Sequence, residues 1–420
     1  MLKDFRVALA ALLLGGCGGR AAPSTALTSG VQVKIPGCAY AFSTPDQTTA
    51  PLDDDGFVGK MPAPLAQHLS WVGDPTTTMT ITWETDFDTT STMVQLGATA
   101  SYGQKAPGFS FAYPTDLSGT DPPSVRVHQV HLCGLQPGTT YHYAVQTGAT
   151  LGADATFATA PAAPETARIL VAGDSRGNTA TWGQVLAAGA GETPDFAFFT
   201  GDANDLGTIQ DEWNAWFAAG SGILPHLPLM LAMGNHEINA RHYYSQFPLP
   251  QNQQWYDFDY GDIHFVVLND TPLDPLVITG AEASFLDQSL GATAKTWKIV
   301  VHHKPPYTSS LGHPPEASLQ AAWSPIYEKH HVDFVMNGHA HAYERSHSIV
   351  AGQVVADGAG PVYVVEGGGG ADPYDVSPQA FTAFAQKTFG YVLLDLSGRT
   401  LKLTAKALDG SVIDSYSRTK

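Results

Sequence analysis

RILVAGDSRG at residues 168–177 is a short apolar run closed by Gly-Asp, and the same construction returns along the chain. It is followed by DFAFFTGDAND at 195–205, LMLAMGNHE at 229–237, WKIVVHHKPPY at 297–307 and DFVMNGHAHAYER at 333–345. Apolar runs of this length bounded by Gly or Pro read as buried strands. Between them, residues 179–190, 210–219, 281–290 and 318–331 carry helical spacing. Strand and helix therefore alternate, and each polar block falls at the C-terminal end of a strand. In open α/β sheets that edge is where ligands bind, and it brings together residues far apart in sequence.

Taken singly the blocks say little. Gly-Asp after a strand is first of all a turn, Asn-His in a loop is first of all a helix cap, and paired loop histidines commonly face solvent. Their company changes the reading. Two divalent ions ~3.5–4 Å apart need one bridging carboxylate with His, Asn and Asp around it. Those are the residue types the blocks supply. His339 and His341, two apart on an extended backbone, share a face. An ion pair of this kind suits phosphate ester hydrolysis, because it acidifies water and spreads the charge growing on phosphoryl oxygens.

The order of the blocks resembles the calcineurin-like metallophosphoesterases, and within them the purple acid phosphatases, whose pattern runs GD, GDxxY, GNH(E/D), VxxH and GHxH. The resemblance covers about residues 165–415. It implies a four-layer α-β-β-α sandwich holding two metal ions, here divalent Fe, Mn, Zn or Mg. It further implies that Asp202 bridges the ions, that Asn235, His303 and His339 complete one position, and that Asp174 and His341 serve the other. The family's ligand stands four residues before a Tyr, as His303 does before Tyr307; His302 is then a buried or supporting residue. His236 resembles the family residue that contacts phosphate, donating to it or helping protonate the leaving group. His313 lies at an offset where plant members keep a pocket histidine, and is read as a substrate-side acid.

The chain also departs from the family. Asp205 stands where the family has a metal-binding Tyr, so no purple charge-transfer colour is expected. Asp205 is either a hard oxygen ligand favouring a divalent ion or a plain loop carboxylate. Arg176 is either a bidentate partner for phosphate or a tie for its loop.

The remaining sequence speaks to location and architecture. Residues 1–16 have a basic start, a short apolar core and small residues before Cys17, which reads as a signal peptide of lipoprotein type. Cys17 would carry the lipid anchor, with the protein exported to the periplasm, outer membrane or cell surface. Residues 17–62 read as a tether and N-terminal arm, 159–167 as a linker and 168–420 as the catalytic domain. Alternation over 63–158 argues an all-β sandwich, and LCGLQPGTTYHY at 132–143 resembles fibronectin type III domains. Cys38 and Cys133 form an even pair able to bridge in an oxidising compartment. The glycine run 367–370 reads as a flexible turn.

A formal charge of −18 repels polyanions, so nucleic acid is not the expected partner. A small phosphate ester is, with membrane contact only through the Cys17 anchor. The expectation is an exported dinuclear-metal phosphatase that hydrolyses phosphate monoesters by attack of metal-bound hydroxide. The alternatives are a phosphodiesterase acting on small diesters or nucleotides and, in another class, a surface binding protein whose metal site has decayed.

Overall fold

The computed structural model describes residues 23–116 and 122–420, which form an antiparallel β-sandwich followed by an α/β body. The leader expected at 1–16 and the anchor at Cys17 lie outside the described residues.

In the sandwich, Thr78–Asp86 pairs along its whole length with Val125–Cys133. Met79, Ile81 and Trp83 alternate along that strand and are fully buried, as a period of two requires. Leu65–Ser70, Phe109–Tyr113 and Leu52–Asp53 complete this sheet. Thr140–Thr147, Met93–Gly97, Gln104–Pro107 and Thr150–Leu151 form the opposing one, with Ala155–Ala158 also paired to Thr140–Thr147. The arm contributes the hairpin Gln32–Lys34 and Ala41–Ser43. It seats Ile35 and Phe42 in a small core with Phe109, Phe111 and Val127. Cys38 and Cys133 are disulfide-bonded across 95 residues of chain, with Cα atoms 5.3 Å apart.

Two sheets make up the body. One runs Leu229–Leu231, Phe196–Phe199, Thr166–Ala172, Gly390–Ser397, Thr400–Ala407, Val412–Thr419, and its first three strands are parallel. The other runs Tyr256–Tyr260, Ile263–Val267, Trp297–Val301, Phe334–Asn337, Val362–Glu366, Tyr343–Val350, Gln353–Val354; Thr382–Gln386 also pairs with Tyr343–Val350. Its central strands, from Ile263–Val267 through Val362–Glu366, are parallel. Parallel strands buried on both faces need near-continuous apolar sequence, and all residues of Phe196–Phe199 and Val362–Glu366 are buried.

Helix Thr179–Ala190 shows how local sequence and packing agree. Asn178 caps it by accepting from the Thr181 amide at 3.2 Å, and Trp182, Val185, Leu186 and Gly189 form the buried stripe. Trp182 stacks on Trp216 of helix Gln210–Ala219 at 5.1 Å. The same Asn178 donates from Nδ2 to the Gly370 carbonyl at 2.9 Å. Three expectations change at this level. The helical stretch 318–331 is split into Ala317–Ala322 and Ser324–Lys329, because Pro325 at a helix start has no amide to continue the first segment. The stretch 281–290 is Ala283–Ala292 preceded by a π-turn at Ile278–Glu282. The glycine run is not a free turn: the Gly369 amide donates to the Gly173 carbonyl at 2.8 Å, and a Cβ on Gly369 would collide with that carbonyl.

Sandwich and body share one apolar core. Trp71 of the strand exit packs on Phe196 at 5.3 Å and on Tyr260 at 5.9 Å. His68, wholly buried, stacks on Phe217 at 4.8 Å with Nε2 at 2.8 Å from the Gln246 carbonyl. Tyr113 donates to Gln210 Oε1 at 2.6 Å. Closing a long loop removes entropy from the unfolded chain, so Cys38→Ser/Cys133→Ser should lower stability by about 2–5 kcal/mol, read as a drop in the urea midpoint of unfolding.

Candidate metal centre

The polar blocks leave their strands through strained backbone. Asp174, Asp202 and His339 each follow a glycine and sit in the left-handed region at φ 61°, 60° and 66°. For non-glycine residues this costs of order 1 kcal/mol or more, and it clusters at functional sites. The preceding glycines are required by contact. A Cβ on Gly173 would fall on Thr200 Oγ1 and one on Gly338 on Asp174 Oδ2; in the neighbouring block, one on Gly234 would fall on Asp202 Oδ1.

Hydrogen bonds tie the five loops into a ring. The Asp174 amide donates to Gly201 O at 2.9 Å and the Arg176 amide to Asp202 O at 3.1 Å. The Gly338 amide donates to His303 O at 2.9 Å, and the His339 amide reaches both Asp174 oxygens at 2.9 Å. Glu237 ties the 234–237 loop to its neighbour, and Asn235 Oδ1 at 3.1 Å from His303 Nε2 closes the ring. Wholly enclosed, Glu237 accepts from the amides of Asp202 (2.9 Å), Ala203 (2.7 Å) and Gly234 (2.6 Å). The sequence reading had given Glu237 no part. Its place directly after Asn-His, within the GNHE block, is the available signal.

Within the ring, single donor atoms of Asp202, His303 and His339 lie within 4.8 Å of one another, all buried. His303 Nδ1 is 2.9 Å from the Thr200 carbonyl, which can only accept, so that nitrogen carries a proton and Nε2 is left to the site. Nε2 faces Asp202 Oδ2 at 3.2 Å and Asn235 Oδ1 at 3.1 Å. Burial works against charge on both members of the His303–Asp202 pair. Even so their mutual attraction holds the Asp202 carboxyl below the usual range and raises His303 to about 10. A cation entering here would displace the shared proton. Burial and the neighbouring His303 push His339 down to about 2, so it offers a free lone pair.

Asp174 and His341 form the second group. His341 Nδ1 is 3.1 Å from the Asp372 carbonyl, and its Nε2, buried and without a hydrogen-bond partner, stands 3.6 Å from Asp174 Oδ1. Burial lowers His341 to about 4, and burial raises Asp174 well above the carboxylate range. An orphaned imidazole nitrogen beside buried carboxylates is a donor set that fits a metal ion.

The other predicted residues take outer places. His302, fully buried, pairs with Asp270 Oδ2 at 3.0 Å and supports the loop from behind. His236 Nδ1 is 2.7 Å from the Asp205 carbonyl, while its Nε2 is 3.9 Å from Asp202 Oδ2. His313 stacks on His339 at 3.9 Å, which brings it to the donor cluster. Its loop is clamped by Glu344, which accepts from the Ser309 amide and hydroxyl, both at 2.6 Å. The Asp205 side chain is 58% exposed and turned to Arg176, with Oδ1 at 3.6 Å from Nε. These two border an open cleft of about 520 Å³ with Asn178, His341, Asp372 and Tyr374. Tyr374, unmarked in the sequence because nothing in a loop motif announces it, stacks on His341 at 4.2 Å and meets His313 edge-on at 5.5 Å.

Residues 64–159 match the model for the purple acid phosphatase N-terminal domain, 167–343 the calcineurin-like phosphoesterase model and 360–415 the iron/zinc purple acid phosphatase-like protein C model. Purple acid phosphatase 15 of Arabidopsis thaliana is 28% identical over 58% of this chain, a stretch spanning 53% of that protein. Purple acid phosphatase 23 of the same plant is 27% identical, covering 79% of this chain and 78% of its own. The solved purple acid phosphatase PPD1 from yellow lupin (Lupinus luteus) seeds superposes with a TM-score of 0.74 at 22% identity, over 85% of this chain and 74% of its own.

Glu237→Ala leaves three backbone donors unpaired in a closed interior. It should cost at least about 3 kcal/mol of stability in chemical denaturation and weaken divalent-metal binding in calorimetric titration.

Proposed function

The chain belongs to the purple acid phosphatase branch of the calcineurin-like phosphoesterases, and from that premise we propose that it hydrolyses small phosphate monoesters with a two-metal centre. The observation that carries the proposal is the buried convergence of Asp202, His303 and His339, with the orphaned Nε2 of His341 beside Asp174. Asp202 would be shared, Asn235, His303 and His339 would complete one position, and Asp174 and His341 would serve the other. Bound divalent ions supply positive charge that acidifies water and offsets the charge developing on phosphoryl oxygens.

The chain's own residues do the rest. Thr200 O and Asp372 O hold the two imidazoles in the tautomer that leaves Nε2 free. Arg176 keeps a buried Nε without a hydrogen-bond partner at the cleft, a donor suited to a phosphoryl oxygen, which favours the doubly charged monoester over a diester. His236 is positioned by the Asp205 carbonyl, and its 25% exposed ring can donate to the bound phosphoryl group. His313, stacked against the donor cluster and half-buried, is the residue we assign to protonating the leaving alkoxide.

Export is part of the proposal. It rests on the leader-like residues 1–16 and Cys17, and on the Cys38–Cys133 disulfide, a bond favoured in oxidising compartments. Among the described residues no helix is long and apolar enough to cross a membrane.

The general-acid role sets up a leaving-group test. His313→Ala should lower kcat by about 100-fold on alkyl phosphates, whose alkoxide needs a proton, and by clearly less on p-nitrophenyl phosphate, whose phenolate does not. Equal losses on both substrates would remove the role. Phenyl phosphate should be hydrolysed in preference to its bis-ester; the reverse preference would favour a phosphodiesterase. Chelation should abolish turnover, and restored turnover on adding Mn, Fe, Zn or Mg would identify the working metal.

A further inference from the structure

The two groups of donors differ in how complete they are. Asp202, His303 and His339 already converge, and Asn235 Oδ1 lies 3.1 Å from His303 Nε2, so four side chains face one position. Among the described residues, the other position as proposed has Asp174 and His341 beside Asp202. Asp174 and His341 are absent from the converged donor group. Asp205, which stands where the family pattern has a metal-binding Tyr, is turned away to Arg176. Its Oδ2 fills the space that a Cβ on Gly177 would need, so the GDSRG loop is shaped to receive it. Arg176 is itself at φ 27° with a buried Nε that makes no hydrogen bond, 3.6 Å from Asp205 Oδ1. The arrangement leaves a gap in the ligand set beside an unsatisfied guanidinium donor. A tetrahedral dianion fits both needs, since one oxygen can join the metal while another takes the guanidinium.

Resting on the two-metal reading above, we propose that the two positions are unequal, and that phosphate completes the weaker one. The position at Asp202, Asn235, His303 and His339 fills first. The position at Asp174, Asp202 and His341 holds its ion weakly, with Asp205 kept away by Arg176, until a phosphate or phosphoryl group supplies the missing oxygen donor. Linkage requires the reverse coupling: the second ion raises phosphate affinity by the same factor. The enzyme would assemble its full centre only with substrate in place.

Metal-free protein titrated with Mn²⁺ in a calorimeter, with free Mn²⁺ followed by electron paramagnetic resonance, tests this without measuring activity. The expected result is one ion bound at least about tenfold more tightly than the other, a gap of about 1.4 kcal/mol. Inorganic phosphate should tighten the second ion by tenfold or more and leave the first unchanged. Arg176→Ala should remove that enhancement, and Arg176→Lys, which keeps the charge but not the fork, should retain part of it. Asp205→Asn should leave the first ion and the phosphate effect intact. Two equal ions without phosphate, or a phosphate effect untouched by Arg176→Ala, would overturn the proposal while leaving the phosphatase reading standing. Failure to bind any Mn²⁺, Zn²⁺ or Fe²⁺ would overturn both.

Discussion

Asp202 is held in a left-handed conformation by partners on two other loops, and the candidate centre depends on that constraint. Its amide is taken by Glu237, its Oδ1 accepts from the His236 amide at 2.9 Å, and its carbonyl accepts from Arg176. No short-range preference of Asp produces this backbone; the surrounding hydrogen bonds over-determine it. The same loops need glycine where the backbone passes within contact distance of a carboxylate, at Gly234 and Gly338. Strain at the strand ends is offset by the apolar strands beneath, which are among the best buried segments of the molecule. A precise carboxylate therefore sits on a rigid edge rather than on a mobile loop.

Much of this was legible in the sequence because strand ends are marked by a change from apolar to polar residues. The alternation of strand and helix and the motif positions at strand termini follow from periodicity, while the grouping of Asp202, His303 and His339 is what the family resemblance implies. Helices Thr179–Ala190 and Gln210–Ala219 lie where the spacing put them. Pairing between strands and contacts between loops were not legible, since they depend on tertiary neighbours. Glu237 looks like any acidic loop residue until three amides are seen pointing at it. Tyr374 carries no motif, and it matters only because the glycine run is pinned on the GDSRG loop, against the expectation of a flexible turn. The break at Trp323 shows the same limit, for a helical pattern persists across a residue pair that the backbone cannot follow.

The sandwich contributes more than a spacer. Its Trp71 and His68 enter the aromatic layer behind Phe196–Phe199, the strand that delivers Asp202. That strand is thus packed from the side of the first domain as well as from within the body. Interfaces between domains are commonly polar and mobile, whereas this one is continuous with the principal core. The two units are therefore expected to keep one orientation, and the cleft by Arg176 and Tyr374 takes its shape from loops of the body alone.

Charge decides what the closed ring can tolerate. Asp174 and Asp202 are both buried, and two neighbouring carboxylates in a low-dielectric site cannot both stay ionised without compensation. The protein resolves this by difference: Asp202 stays charged against a protonated His303, while burial drives Asp174 towards its neutral form. Glu366, also enclosed and raised by burial to about 8, adds to the same excess of acid groups. Protons thus sit where cations are proposed to bind, and each ion that enters releases them and recovers the full charge of its ligands. A ring built with more buried acid than base is costly on its own, and it becomes favourable once positive charge arrives. This supports metal binding more directly than the count of ligand types, because a decayed site would have no reason to keep buried carboxylates with an orphaned imidazole nitrogen, His341 Nε2, beside them.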